Sequence, residues 1–253
     1  MLDSKFRYPS TLNESRFDLT DVTFMIPLKI DSEERYKNIQ LSTRFILENF
    51  DTNLITYESP TLAKGKEVEV VSDLNKDWEI SAPNVKSHNL TSWTYMTAWG
   101  SATAPSFYRT RFLNEMLAQV RTPIVVNYDA DILMDPRALL LACHKIRQGE
   151  ADLVYPFALG ASQGRLYDAN LVYQVITTNR IQGRAWDEEL LTECVEKGRE
   201  FWEGDDIPSH TLWTRSAYGH AQVFNTEVYK EGGGENEHFF GWGPEDKERY
   251  YRF

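Results

Sequence analysis

Apolar positions along this chain follow two periods, short β-branched runs of strand type and longer stretches with helical spacing. Val22 to Leu28 reads as a first strand, stopped in the region of Pro27. Asp31-Ser32-Glu33-Glu34 then starts a helix, with acidic groups in the first turn where the helix dipole favours them. Ile39, Phe45, Ile46 and Phe50 fall roughly on one face of it, which predicts packing on a sheet. Asn53 to Tyr57 predicts a second strand. The pattern weakens over 60–105: Glu67 to Val71 alternates like a strand, and Thr91 to Thr103 gives no clean period. Ser106 to Val120 predicts a helix with Phe107, Leu113, Met116 and Leu117 apolar, leading into a strand over 124–128. Pro136 to Gln148 is a further helix with proline at its start, and Asp152 to Tyr155 another short strand.

Strand and helix alternate through this half, so the expected class is α/β, an open and mostly parallel sheet with helices on both faces. The whole chain reads as one domain. Residues 160–216 look like an insertion, with a charged helix around Asp187 to Trp202 that breaks at Glu203-Gly204-Asp205-Asp206-Ile207-Pro208. The chain has no internal repeat and no low-complexity tract.

Charge narrows the partners. The 253 residues carry a net charge of −11, which argues against a nucleic-acid backbone or an anionic membrane as the main partner. Cys143 and Cys194 form no metal-binding spacing and read as small core residues of a reduced compartment. No apolar run reaches the length of a membrane span, and Met1-Leu2-Asp3-Ser4-Lys5 lacks a signal peptide's apolar stretch, so the expected location is the cytoplasm.

Chemistry concentrates in two places. Val125-Val126-Asn127-Tyr128-Asp129-Ala130-Asp131 is an apolar run that ends in two aspartates. In a strand, residues two apart share a face, so Asp129 and Asp131 would present carboxylates side by side where a core strand reaches the surface. The pair reads as a solvated acidic turn or as a site for Mg2+ or Mn2+, hard cations that keep open positions for phosphates. The second place is Phe239-Phe240-Gly241-Trp242-Gly243-Pro244-Glu245-Asp246. Pro244 fits the first turn of a helix that Glu245 and Asp246 continue, and these carboxylates are good helix starters. The functional alternative is a mobile aromatic loop over a sugar, backed by a carboxylate general base.

These blocks, in this order, resemble the GT-A-type nucleotide-sugar glycosyltransferases, and most closely the β-1,4-galactosyltransferase group. Phe107-Tyr108-Arg109-Thr110-Arg111-Phe112-Leu113-Asn114 is similar to that group's nucleotide-contacting helix, and Asp129-Ala130-Asp131 to its metal-binding Asp-Val-Asp. Tyr218-Gly219-His220-Ala221 through Asp246 resembles its acceptor-binding and catalytic block, and Ile26-Pro27-Leu28-Lys29 more weakly resembles the end of its first strand. The resemblance implies a GT-A-like, three-layer fold, with a nucleotide-sugar half over about 20–155 and an acceptor half over about 156–253. By position it implies a Mn2+ (or Mg2+) ligand at Asp131, with Asp129 at the donor's ribose or in the metal shell. Pro27, Lys29, Phe107, Arg109 and Asn114 then fall on the nucleotide side. Gly241, Trp242, Gly243 and Glu245 fall on the acceptor, and Asp246 is the base with Glu245 beside it.

Two departures stand out. The group's remaining metal ligands, a Met and a His, lie beyond this block, while this sequence stops at Phe253, so either it is truncated or His210, His220, water or diphosphate completes the shell. Lys247 stands where the group has another acceptor-binding aspartate. The implied reaction is inverting transfer from a nucleotide-diphosphate sugar, such as a UDP-sugar, to a saccharide or glycoconjugate acceptor. Closure of the Trp242 loop is expected to desolvate Asp246 and raise its pKa. A retaining GT-A enzyme, a non-catalytic nucleotide- or carbohydrate-binding module and a metal-dependent nucleotidyltransferase are the alternatives.

Overall fold

The computed structural model describes residues 16–59, 62–63, 66–67, 92–97, 107–134, 136–157, 218–240 and 244–253. In chain order they form β1 (Phe17–Lys29), α1 (Glu33–Asn49), β2 (Phe50–Ser59), β3 (Leu62–Ala63), β4 (Lys66–Glu67) and β5 (Ser92–Thr97). These are followed by α2 (Arg109–Leu117), β6 (Ile124–Tyr128), α3 (Pro136–Arg147), β7 (Leu153–Val154), β8 (Ala221–Asn225), α4 (Thr226–Glu231) and α5 (Glu245–Arg252).

Six strands make one sheet in the order β5-β2-β1-β6-β8-β7, while β3 and β4 pair antiparallel by themselves. The four strands β5, β2, β1 and β6 are parallel neighbours. β8 lies antiparallel to both β6 and β7, so the expected mostly parallel sheet becomes mixed on this side. The alternating strand–helix reading is met by an α/β fold with helices on both faces.

Strand parity sorts the core into those two faces. Phe24, Ile26, Leu54, Ile124, Val126 and Val223 point to one side, against Ile39, Phe45 and Ile46 of α1 and Leu139 and Cys143 of α3. Met25, Ile55, Tyr57, Val125 and Phe224 point to the other, against Phe112, Leu113, Met116 and Leu117 of α2 and Tyr229 of α4. Both faces of the central strands are therefore covered, which is why their sequences read as continuous apolar runs.

Several boundaries differ from the sequence pattern. β1 runs through Pro27 to Lys29 instead of stopping there. The last β1–β6 pair is Met25 with Asn127, so on that side no ladder bond needs the N–H that Pro27 lacks. Phe50, expected on the helical face of α1, is the first residue of β2. The helix stops one residue earlier, where the Asn49 side chain donates to the Phe45 carbonyl at 2.7 Å. Phe50 stays in the core nonetheless, with its ring 5.8 Å from that of Phe24. The helix starts within Asp31–Glu34 as expected, with Ser32 as its cap accepting from Arg35 N.

β5 forms inside 91–103, where the pattern showed no period, and β8 was not anticipated. The Glu67–Val71 strand is met only by Glu67 in β4, and residues 68–71 lie outside the described residues. The inserted stretch 160–216, its helix at Asp187 to Trp202, Cys194 and His210 also lie outside them. Among the described residues no helix is long and apolar enough to cross a membrane.

Leu113 has no exposed surface and ties α2 to the sheet. Leu113→Ala is expected to cost about 2–5 kcal/mol in urea unfolding, through lost transfer energy and a residual cavity.

Candidate functional site

β6 delivers the chain to the carboxyl edge of the parallel strands, where open α/β sheets bind ligands. The strand ends at Tyr128, so Asp129 to Asp131 lie in the turn beyond it rather than in the strand. The two carboxylates have different surroundings. Asp129 follows the parity of Val125 and Asn127 towards the α2 side. There Arg109, the first residue of α2, donates from Nη2 to Asp129 Oδ1 at 2.7 Å. Asp131 opens to solvent. Surrounding protein, and then the like charge of Asp129, raise its carboxyl above the ordinary aspartate range, with His220 and Arg35 opposing.

Across the sheet, His220 locks Asp129 from the β8 side. Asp129 N donates to His220 O at 2.8 Å, and His220 N donates to Asp129 Oδ2 at 3.0 Å. His220 takes the left-handed conformation, φ 68°, which few non-glycine residues adopt. Its Nδ1 lies 4.0 Å from Asp129 Oδ2. Gly219 precedes it for a steric reason: a Cβ there would stand 2.9 Å from Asp246 Oδ2.

Asp246 comes from the first turn of α5. Arg109 Nη1 donates to its Oδ1 at 3.2 Å, so one guanidinium bridges Asp129 and Asp246. Arg249, one turn further along α5, donates from Nη1 to the same oxygen at 2.7 Å. Burial by itself would raise the Asp246 carboxyl, but the two guanidiniums outweigh it and hold it below the ordinary range. The rise expected for a general base is therefore not present with this arrangement of the described residues.

Arg249 is fully buried and meets Glu235 through Nε and Nη2, each at 2.6 Å. Tyr229 OH also donates to Glu235 Oε1, and Asn127 Nδ2 donates to Tyr229 OH at 2.9 Å. A continuous polar chain thus runs from β6 through Glu235 and Arg249 to Asp246, and on through Arg109 to Asp129. Glu235, Arg249, Tyr229 and Asn127 were not singled out in the sequence. The available signals were the acid directly after three glycines and the Asp246–Arg249 spacing of three on a helix.

The other expected residues divide. Asn114 donates to Glu235 O at 3.0 Å and Glu237 Oε1 at 2.8 Å, and accepts from Glu235 N at 2.7 Å. Its amide holds the 235–237 segment and joins the site through it. Gly234 allows that approach: its φ is +64°, and a Cβ would lie 2.4 Å from Asn114 Oδ1. Tyr108 OH donates to Glu237 O, and Tyr108 stacks on Phe240 at 5.0 Å, so the start of α2 carries the stretch leading to residue 241. Phe107 is half-buried, edge-on to Phe112 at 5.6 Å. Pro27 and Lys29 end β1 at the same edge of the sheet, and Lys29 Nζ pairs with Asp31 at 3.6 Å. No described contact joins either to Asp129 or Asp131. Glu245 is buried at the start of α5. Gly241, Trp242 and Gly243 lie outside the described residues.

No cluster of three His, Cys, Asp or Glu side chains able to hold a metal occurs among the described residues. The carboxylates that could serve a metal here are Asp131 and Asp129, whose Oδ2 already accepts from His220 N. Two hard carboxylates of this kind suit Mg2+ or Mn2+ drawing its other ligands from water and phosphate oxygens. They do not suit a closed structural metal centre.

No family model and no curated protein matches the chain. Among solved structures, it is similar to a mannosyltransferase, PcManGT from Pyrobaculum calidifontis, in complex with GDP-Man and Mn2+. The identity is 14%, the TM-score 0.41, and the alignment covers 86% of this chain and 48% of that one. Residues 1–349 of S. aureus TarS align at 10% identity and TM-score 0.45, over 89% of this chain and 52% of that one. The catalytic domain of Drosophila β1,4-galactosyltransferase 7, in complex with xylobiose, aligns at 13% identity and TM-score 0.39, over 93% and 60%. The chain therefore spans about half to three-fifths of these structures.

Glu235 supplies a pH test of the buried network. Burial would raise its carboxyl, but Arg249 outweighs this and lowers it from the ordinary 4.5. A depressed folded pKa gives stability that is present above the unfolded value and lost as pH falls through the folded one. The urea midpoint is expected to fall as pH drops below 4.5, and Glu235→Gln should make that fall shallower. At neutral pH the same substitution should cost about 3–5 kcal/mol, because it removes the two-point partner charge of a fully buried guanidinium and leaves only Asp246 against it.

Proposed function

We propose that this chain is a nucleotide-sugar glycosyltransferase, inverting, with a UDP-sugar such as UDP-Gal or UDP-GalNAc as donor and a saccharide or glycoconjugate as acceptor. The observation that carries the reading is the Arg109 bridge, which brings Asp129 and Asp246 into one site at the carboxyl edge of the sheet. These two residues belong to the two blocks whose order carries the family resemblance.

Asp131 and Asp129 would hold the cation, and Phe107, Pro27 and Lys29 line the nucleotide side. A divalent cation held by these carboxylates would supply Lewis-acid stabilisation of the leaving diphosphate. Asp246 faces this pair from α5 and takes the acceptor hydroxyl's proton. Because Arg109 and Arg249 keep it ionised, it stands ready as a base without prior deprotonation. It is a weak base, and a weak base suffices if the hydroxyl loses its proton late, as the acceptor oxygen bonds to the anomeric carbon. Glu245 and the Gly241-Trp242-Gly243 segment bind the acceptor beside it.

Thermal-shift screening of UDP- and GDP-sugars with Mn2+ is expected to find a stabilising donor, since a ligand of the native state raises stability by mass action. Turnover of that donor should be Mn2+-dependent and absent in Asp131→Ala. Asp246→Asn should retain donor binding and lose at least about 100-fold in turnover, the scale of a general base. Near-normal turnover in Asp246→Asn would remove Asp246 from the mechanism. Donor binding without turnover in the wild-type chain would make it a binding module instead.

A further inference from the structure

We infer that Arg249 is a positioning residue for Asp246, anchored by Glu235, and that it fixes which carboxylate oxygen faces the acceptor. This rests on the transferase reading above.

The guanidinium has two usable edges. Nε and Nη2 form a two-point fork on Glu235, both bonds at 2.6 Å, and this leaves Nη1 for Asp246 Oδ1 at 2.7 Å. Planarity makes Arg249 a rigid spacer between two carboxylates. The anchor is itself held on several sides. Glu235 accepts from Tyr229 OH, its backbone N–H is held by Asn114, and Tyr229 is fully buried with its ring 4.1 Å from that of Phe224 in β8. Arg109 addresses the same Oδ1 from the opposite element, so Asp246 is gripped by one oxygen from two sides.

Among the described residues Oδ2 lies outside both ion pairs, against Gly219, where even a methyl group would stand 2.9 Å away. It is the oxygen left for the reaction. The acceptor's O–H proton passes to Oδ2 while the acceptor oxygen forms its bond to the anomeric carbon. The bond from that carbon to the diphosphate oxygen breaks, and its electron pair leaves with the diphosphate. Rotation of Asp246 about its χ angles would misdirect Oδ2, and misplacement by about 1 Å is enough to cost on the order of 100-fold in rate.

The test compares wild type, Arg249→Met, Arg249→Lys and Glu235→Gln in the full chain. Donor hydrolysis is followed with Mn2+ and UDP-glucose, UDP-galactose or GDP-mannose, whichever the wild type turns over, and water stands in for the acceptor. Thermal melting identifies the folded variants. Arg249→Met is expected to lose roughly 100-fold in kcat with donor KM within about threefold of wild type. Arg249→Lys should recover part of that loss, since an ammonium replaces the charge but not both edges of the fork. If Arg249→Met does not fold, Glu235→Gln serves in its place, with a smaller loss that again falls on kcat. Unchanged kcat per folded molecule, or a loss confined to donor KM, overturns the inference while leaving the transferase reading intact. A wild type that turns over no donor overturns the transferase reading instead. Crystal structures then judge the positioning on its own: Asp246 displaced from Gly219 in Arg249→Met supports it, and Asp246 unmoved refutes it.

Discussion

A buried guanidinium cannot shed its proton, so the protein must bring carboxylates to it. Arg249 has no exposed surface, and the local architecture follows from meeting its charge. Glu235 supplies a matched fork, which docks α5 onto the turn after α4. Asp246 supplies the remaining edge, which orients the first turn of α5 towards β6. Arg109, also buried, repeats the pattern one step further out between Asp246 and Asp129. Acid and base alternate along the line Glu235, Arg249, Asp246, Arg109, Asp129, with one negative charge in surplus. Asp131 adds another, and a site of this sign is suited to a divalent cation.

The sheet decides where this line runs. Strand parity sends Val125, Asn127 and then Asp129 to the face covered by α2, where Arg109 begins the helix. The antiparallel insertion of β8 beside β6 brings Gly219 and His220 to the same corner. Gly219 leaves room for Asp246, and the left-handed backbone of His220 turns an N–H onto Asp129. A cluster assembled from several elements needs rigid supports, and here Asp129, Asp246 and Arg249 are each held by hydrogen bonds from another element.

Much of the frame was legible in the sequence because burial on both faces writes itself into composition. β1, β6, α1 and α3 lie where the apolar runs and helical spacing put them. β5 and β8 were not legible, for different reasons. β5 is held at the sheet edge by backbone pairing, which any sequence can make. β8 alternates small, polar and apolar residues, Ala221-Gln222-Val223-Phe224-Asn225, and its antiparallel direction depends on a partner strand far back in the chain. Phe50 shows the limit of periodicity: its burial was foreseen and its element was not, because an apolar residue at a helix end satisfies either pattern.

For the site, the sequence by itself marked three carboxylates by local pattern and motif order, and passed over Glu235. Asp129, Asp131 and Asp246 occupy the end of an apolar run and the start of a helix. Only the tertiary structure decided what each carboxylate faces. It set Asp129 against Arg109 while Asp131 stays exposed, gave Arg109 two carboxylates at once, and enlisted Glu235 and Arg249 as a buried pair. Ion-pair partners are chosen by distance in space, and an exposed charge and a buried one are written with the same residue. Their roles therefore become visible only once the chain has folded around them.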